Sequence, residues 1–586
     1  MSLRTLYDEA SLWMTPSGYE DGKLFSELPT DGSGDFTFSR GSNLAATRVG
    51  PTGLIEKGRE NLLLQSNQFD TTWTAVGTTL TSGQSGYDGT NDAWLLSKDS
   101  GQYRRIIQNI SFSGVYTLSV YAKANTLSQI ILRDGTSSTS VRFDLSDGSL
   151  ISSTGAIAYS IVSVGNGWYR CSVTMLNSVQ AQIYVDWSQS NAGSIYIQDA
   201  QLEVGLAATD YIESGASTGK AGLLENEPRL DYSGGATCPS LLLEPQRSNL
   251  YPNSEYFEGW TKNNAVTTIN ASTSPEGLQN AIKLSGSAVN GQHTLYYIYT
   301  GTITNYSHSA FYKAGEYSYA YMRAGGVTGD PYVIYDLTDQ SVIGSAACTH
   351  DIEFVGNDWY RITLTPDNTS GVHATNLMFL PSSGYTLNGQ NIPSFTGDGT
   401  SGGYIYGAQL EAGSYPTSYI PTHGSSVTRS VDTFKVTGIS DLIDTQGGVM
   451  LLETKALDRN QGYSGVSLSD DTFTNNAQIR YGSATDQVQI QYRVGSSNEC
   501  LASNSENDIT NNLKIAFKYE SNSFKMFVNG VLKGTDTSGL VNAANTFDTI
   551  KSDRGDGNDK YLGRIKQLVV FPTALTDSEC IKLTTI

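Results

Sequence analysis

Charged residues are scarce, at 16% of 586, and the basic ones are the scarcer kind: 37 Lys and Arg against 57 Asp and Glu, a net charge of −20. Affinity for a phosphate backbone comes mainly from Lys and Arg, so this balance argues against nucleic acid as a partner. Proline is low, at 15. No long runs of Ala, Leu, Glu and Lys recur at helical spacing, which argues against a helical fold. No stretch reaches the ~18–20 apolar residues of a membrane span, so no membrane insertion is expected. Met1-Ser2-Leu3-Arg4 does not open the apolar run of a signal peptide. The five cysteines, Cys171, Cys238, Cys348, Cys500 and Cys580, form no CxxC pair and no zinc pattern. Their odd number and wide spacing predict free, mostly buried thiols and assembly in a reducing cytoplasm. Four of the five histidines, His293, His308, His350 and His373, lie close together in sequence without metal-ligand spacing. There is no Gly-x-Ser-x-Gly, P-loop or dinucleotide fingerprint. A glycosidase needs two carboxylates roughly 5–10 Å apart. Glu453 stands alone, and Glu203 and Glu411 give one carboxylate per module. No catalytic residues are therefore assigned, and a non-enzymatic protein is expected.

What is present in quantity is Gly, at 60, and Tyr, at 35, among many Ser, Thr and Asn. This favours strands and tight turns. The chain also repeats itself. Asn61-Leu62, Phe69-Asp70 and Trp73 return as Asn249-Leu250, Phe257-Glu258 and Trp260. Tyr116 to Ala124 returns as Tyr306 to Ala314, and Trp168-Tyr169-Arg170 as Trp359-Tyr360-Arg361. Ala200-Gln201-Leu202-Glu203 returns as Ala408-Gln409-Leu410-Glu411, and each copy closes at Tyr211-Ile212 or Tyr419-Ile420. Copies of this length fit two domains of ordinary size. Within them apolar and polar residues alternate, as in Tyr169 to Met175, and Asp147-Gly148 and Asn166-Gly167 supply hairpin turns. Many short strands with such turns predict a sandwich or jelly roll.

Beyond about residue 430 the repeat stops. Leu513 to Tyr519 and Ser523 to Leu532 read as a hairpin with Asn529-Gly530 at a turn, and Thr576-Asp577-Ser578-Glu579 reads as a capping box opening a short helix. This order resembles a laminin-G or concanavalin-A-like sandwich. The repeated blocks resemble carbohydrate-binding-module jelly rolls, and more closely modules of tailed-phage structural proteins. Two further segments, Phe36 to Glu56 and Glu227 to Leu250, are similar to segments that recur in phage tail-fibre and virion-surface proteins. The expected fold is all-β: two tandem jelly-roll β-sandwiches followed by a concanavalin-A/laminin-G-like β-sandwich. The expected boundaries are an N-terminal virion-docking segment 1–59, jelly roll one 60–214, a connector 215–248, jelly roll two 249–424 and the C-terminal domain 425–586.

Glycan sites stack sugar rings on exposed aromatics. Trp168 and Trp359 recur in both copies and read as packing. Aromatics unique to one copy, Trp94, Trp187, Tyr296 and Tyr297, are the better candidates for carbohydrate contact. Calcium is the one cofactor the sequence suggests, on the glycine-rich loop bearing Asp553, Asp556 and Asp559. The same loop also reads as a solvated acidic turn. Ser469-Asp470-Asp471 is a second metal candidate. The jelly-roll resemblance implies a structural calcium near Asp70 or Glu258, with Asp199 as partner in the first copy and Gly407 in its place in the second.

The resemblance implies a virion-surface protein made in the host cytoplasm: a tail fibre, head fibre or adhesin. Its expected partners are other virion proteins, host cell-surface polysaccharide and further copies of itself, as a homo-oligomer with a trimer favoured. The alternatives are an architectural virion protein without a glycan ligand and a polysaccharide depolymerase.

Overall fold

The computed structural model describes residues 3–41, 44–135, 138–187, 191–368 and 371–586. The chain divides into two compact units. One comprises residues 57–222 and 248–428, the other residues 1–56, 223–247 and 429–586. Among the described residues no helix is long and apolar enough to cross a membrane.

The first of these units holds the sequence repeat, and the two copies share one strand order. In jelly roll one, two long strands, Arg105–Ala124 and Trp168–Val185, run through both halves of the sandwich. They bend at register shifts between Asn109, Phe112 and Val115. There Gly114 takes φ 101° and its N–H donates to Asn177 Oδ1 at 2.8 Å. One half of the pair carries Gln129–Asp134, Ser140–Asp144 and Ser149–Thr154 on one side and Thr74–Val76 on the other. The other half carries Ala158–Gly165, Gly193–Val204, Ala93–Lys98 and Thr78–Gln84. In jelly roll two the corresponding long strands are each interrupted, and the halves separate into two six-stranded sheets in the same order.

The repeated residues explain why the order repeats. Asn61 Nδ2 donates to the carbonyls of Ala200 and Ile212, and Asn249 Nδ2 to those of Ala408 and Ile420. Each Asn thus ties the opening strand to the closing one. Ser66 and Ser254 hydroxyls meet Tyr211 and Tyr419 hydroxyls at 2.6 Å. Trp168 and Trp359 are buried, and the Arg170 and Arg361 guanidiniums lie over the Tyr121 and Phe311 rings. Glu203 and Glu411 each accept from the backbone N–H of a threonine six residues on, Thr209 and Thr417. These carboxylates anchor the closing loops. A buried ion cluster joins the entry strand of jelly roll one to jelly roll two. Lys57 Nζ lies 2.7 Å from Glu255 and 2.9 Å from Glu276, and Arg59 reaches Glu276 at 2.9 Å.

The other unit departs from the boundaries read from the sequence. It is a two-sheet sandwich, but residues 429–586 supply only part of it. Leu12–Met14 and Ser240–Leu243 both pair with Gly563–Phe571, and Phe36–Ser39 pairs with Thr433–Thr437. Leu12, Met14, Leu24, Phe36, Phe38, Leu241 and Leu243 are buried in the same core as Leu452, Ile490, Phe517 and Leu568. The segment 1–59 and the connector 215–248 therefore contribute strands and core to this sandwich, and the jelly rolls are two insertions into it. The reason is edge and core closure: these short strands cover sheet positions that would otherwise stay unpaired. The hairpin turn is as expected, with Asn529 at φ 48° and Gly530 at φ 78°. So is the capping box, in which Thr576 accepts from Glu579 N and Glu579 accepts from Thr576 N. All five cysteines are free; Cys171, Cys500 and Cys580 are buried, Cys348 is half-buried and Cys238 is exposed.

Arg40, Arg229 and Glu244, from segments 36–56 and 227–250, meet Arg429 and Asp432 inside this sandwich. Arg229 pairs with Asp432 and, at 2.5 Å, with Glu244. Arg429 pairs with Glu244 at 2.9 Å and Arg40 with Asp432 at 3.3 Å. All five side chains are nearly inaccessible. Burial works against the Arg229 charge, but Asp432 and Glu244 hold it above its ordinary value. Burial brings Arg40 down to about 10. One cluster thus fastens three stretches of chain that are far apart in sequence.

Candidate functional site

On a strand, residues two apart share a face. In jelly roll one, Ile106, Leu132 and Ile183 point into the core, so Arg105, Arg133, Gln182 and Tyr184 point outward. Tyr184 and Gln182 are nonetheless nearly inaccessible, and Arg105 and Arg133 are half-buried, so these groups form a connected layer just beneath the surface. Arg133 donates to Tyr184 Oη at 3.2 Å, Tyr184 to Gln182 Oε1 at 2.7 Å, Gln182 to Gln180 Oε1 at 2.6 Å and Gln180 to Asn109 Oδ1 at 2.8 Å. The Arg105 guanidinium lies 5.3 Å from the Tyr184 ring centre. Trp187 stands edge-on to Tyr184 at 5.9 Å and to Tyr103 at 6.1 Å. Tyr103 is 52% exposed. The Trp187 indole N–H and Arg105 Nε are buried without a hydrogen-bond partner among the described residues. What reaches solvent is the Tyr103 ring beside half-buried Trp187, Arg105 and Arg133, an edge of ring and planar donors that suits a ligand with both C–H faces and hydroxyl acceptors.

Of the aromatics chosen from the sequence, only Trp187 belongs to this surface. Trp94 is a correction: it is buried, edge-on to Phe69, with its indole N–H on Asn67 O at 2.9 Å. Its counterpart by register in the second copy is Ile282, also buried. A core position that changed side chain looked like a surface one. Tyr297 likewise faces inward, against Tyr251 and Trp260. Tyr296 faces outward and is half-buried. Tyr103, Arg105, Arg133, Gln182 and Tyr184 were missed. Their signal was the alternation of Gln180, Gln182 and Tyr184 along one strand.

In jelly roll two the equivalent face is closed by its own chain. Phe395, Ile392 and Tyr385 pack on Tyr321, Tyr332, Ile334, Met378 and Leu380. Arg323 Nε donates to Gln390 O at 2.9 Å and Tyr321 Oη to Asn391 O at 2.7 Å.

The loop with Asp553, Asp556 and Asp559 is organised around an arginine. Arg554 donates to both Asp556 oxygens at 2.9 and 3.0 Å and to Asp559 at 3.3 Å. Asp553 accepts from the N–H groups of Gly555 and Gly557. Asp470 accepts from Thr472 and Asn475, and Asp471 pairs with Lys551. Asp70 and Glu258 are exposed. Among the described residues no group of three or more His, Cys, Asp and Glu comes together as a candidate metal site.

Asp199 is buried, at a bulge where φ is 53°, and Gly407 holds the same place in the second copy at φ 59°. Burial pushes its carboxyl up to about 7, with Asp92 and Asp88 adding to the rise and the Tyr87 hydroxyl opposing it. A carboxyl raised from near 3.9 in the unfolded chain supports the fold below about pH 4, and that support is lost as pH rises through 7. At pH 8 the cost approaches about 4 kcal/mol. Asn tolerates positive φ, so Asp199→Asn is expected to raise the jelly-roll melting temperature at pH 8 and to leave it unchanged near pH 4. Scanning calorimetry at the two pH values checks this. A fall at pH 8 would mean that the carboxylate is charged and held by a bound cation.

Residues 456–580 match a laminin-G family model described as the concanavalin A-like lectin/glucanases superfamily. No curated protein matches the chain. Among solved structures, the CBM40 of the Ruminococcus gnavus IT-sialidase bound to α2,3-sialyllactose is similar at 19% identity. It covers 24% of this chain and 83% of its own, with a TM-score of 0.22. The tandem CBM22 domain of Paenibacillus barcinonensis Xyn10C is similar at 12% identity, over 63% of this chain and 100% of its own, with a TM-score of 0.20. Mouse laminin α1 LG4-5 is similar at 9% identity, over 49% and 92%, with a TM-score of 0.17. The chain is an all-β protein in which two tandem jelly-roll sandwiches are joined to a laminin-G/concanavalin-A-like sandwich.

Proposed function

We propose that this chain is a non-enzymatic surface protein of a tailed-phage particle that binds host-surface polysaccharide through jelly roll one. The observation that carries the binding role is the exposed Tyr103 ring edge-on to half-buried Trp187, beside half-buried Arg105 and Arg133. The phage setting is supported by the resemblance of the segments that contain Arg40, Arg229 and Glu244 to recurring tail-fibre segments. Display in many copies raises weak binding by roughly 10²–10⁴ through avidity.

The test is a polysaccharide array probed with the full chain, followed by titration on any glycan that binds. Trp187→Ala and Tyr103→Ala are each expected to weaken binding about ten-fold, or ~1.4 kcal/mol. Tyr296→Ala is expected to leave it unchanged. A second reading, an architectural particle protein, is favoured by the self-covered face of jelly roll two. An array blank at high protein concentration would establish it in place of the first. Release of reducing ends from a bound glycan would instead make the protein a depolymerase.

A further inference from the structure

Jelly roll one, residues 60–214, has seven lysines and arginines, and five of them gather around the run from Tyr184 to Trp187. Lys98 Nζ donates to Asp186 O at 3.4 Å, and Val185 N donates to Arg104 O at 3.2 Å. The Arg105 guanidinium lies 5.3 Å from the Tyr184 ring centre, Arg133 donates to Tyr184 Oη at 3.2 Å, and Arg142 stands 3.6 Å from Asp186.

The carboxylates nearby are already engaged. Arg104 takes both oxygens of Asp99, at 2.6 and 3.0 Å, Arg142 faces Asp186, and Asp144 accepts from Ser146. Asp134 turns to the opposite face of its strand and is inaccessible. Arg105 and Arg133 have no carboxylate within ion-pair distance among the described residues. Arg105 donates to the Tyr103 carbonyl at 2.8 Å and Arg133 to the Tyr184 hydroxyl, both neutral acceptors. Two half-buried guanidiniums thus meet one tyrosine with their charges unbalanced. Like charges held together and partly out of water are costly unless an anion joins them.

The second copy shows the alternative within the same molecule. By register the counterpart of Arg133 is Arg323 and that of Arg105 is Thr294. Arg323 pairs with Asp330 and donates to Asn376 Oδ1 at 3.0 Å. Where the face is closed by its own chain, one cation is absent and the other has an internal carboxylate. Where Tyr103 reaches solvent, both cations are present and neither has one.

We infer that the polysaccharide bound by jelly roll one is acidic, and that Arg105 and Arg133 hold the anionic group of a sugar placed beside Tyr103 and Trp187. The inference rests on the binding role given to that face. Planar guanidinium forks match a carboxylate, and they also take the oxygens of an ester sulfate or phosphate. The net charge of −20 does not decide against such a ligand, because exposed charges farther off than about 8 Å are largely screened at physiological ionic strength. The local excess of cations governs the approach.

The experiment is an array of acidic and neutral polysaccharides probed with the full chain at physiological salt. Each acidic glycan is printed a second time after removal of its charge, with carboxylates reduced to alcohols and ester sulfates or phosphates hydrolysed. Binding is expected on acidic glycans alone and is lost on their uncharged forms; the treatment that abolishes it identifies the anionic group. Arg105→Gln and Arg133→Gln are each expected to weaken binding roughly 10–100-fold with unchanged circular dichroism. Lys123→Gln, in the other half of the sandwich, is expected to leave it unchanged. Binding to neutral glycans that falls with Trp187→Ala but survives both arginine variants overturns the inference and leaves the binding face standing. An acidic glycan that binds equally well without its charge also overturns it. A blank array overturns the inference together with the binding role on which it rests.

Discussion

Replacing Arg229 by Ala is expected to lower the stability of the C-terminal sandwich by about 3–5 kcal/mol, among the largest single-residue effects in this chain. The magnitude follows from what would be left behind. Glu244 and Asp432 are both nearly inaccessible, and Arg229 is a direct partner of each. Arg429 would remain on Glu244 and Arg40 on Asp432, yet the guanidinium that bridges the two carboxylates would be gone. Removing one member of a buried ion cluster leaves charge in low dielectric without compensation, which costs far more than a surface pair returns. For a domain of this size the melting temperature should fall by roughly 10 °C. Calorimetry on the full chain reads this as a shift of one transition, with the jelly-roll transition in place. Lys566→Ala, which removes a largely exposed partner of Glu453 at 3.9 Å, should move neither. An Arg229→Ala sandwich that melts with the wild type would show that the cluster is not what joins the three segments.

Residues 425–586 produced alone are expected not to fold, although they were the expected domain and contain the whole family match at 456–580. They lack Leu12–Met14, Ser240–Leu243 and Phe36–Ser39, which complete both sheets, and the core residues those strands carry. The compensating design follows from how the insertions leave and return. Arg59 pairs with Ala221 at the foot of jelly roll one, and the Ser248 and Thr428 hydroxyls lie 2.6 Å apart at the foot of jelly roll two. Each insertion therefore starts and ends at one place. A chain in which short Gly-rich linkers replace residues 57–222 and 248–428 is expected to fold as the sandwich alone. Near-ultraviolet circular dichroism and cooperative melting separate the outcomes. A folded, cooperative 425–586 fragment would show the N-terminal and connector strands to be dispensable.

The sequence made the fold class legible because alternation and turn residues are local signals. Asn529-Gly530 and Thr576 to Glu579 each specify their own turn or cap. The repeat was legible because Asn61, Ser66, Trp168 and Glu203 recur for packing and hydrogen-bonding reasons that apply equally in both copies. The insertion was not legible. Leu12–Met14 and Leu230–Asp231 are too short to show a period, and their partners lie hundreds of residues away. The candidate face was half legible. Trp187 could be chosen because it has no counterpart, but that criterion also selected Trp94 and Tyr297, which fill core. Uniqueness reports that a position is free to differ, and strand register decides which way it points.

Ser11 and Val570, whose backbones are hydrogen-bonded, are separated by 559 residues. Gly563–Phe571 is also the strand on which Leu12–Met14, Ser240–Leu243 and Gly447–Ala456 assemble. During synthesis the first strands of the sandwich must therefore wait for nearly the whole chain. Each jelly roll, by contrast, has all its strands once its own stretch is out, and domains fold as units when they emerge. The inserted modules therefore mature before the sandwich whose first strands precede them in the chain. The sandwich, whose segments flank both insertions, closes after them, as a slow and highly non-local step.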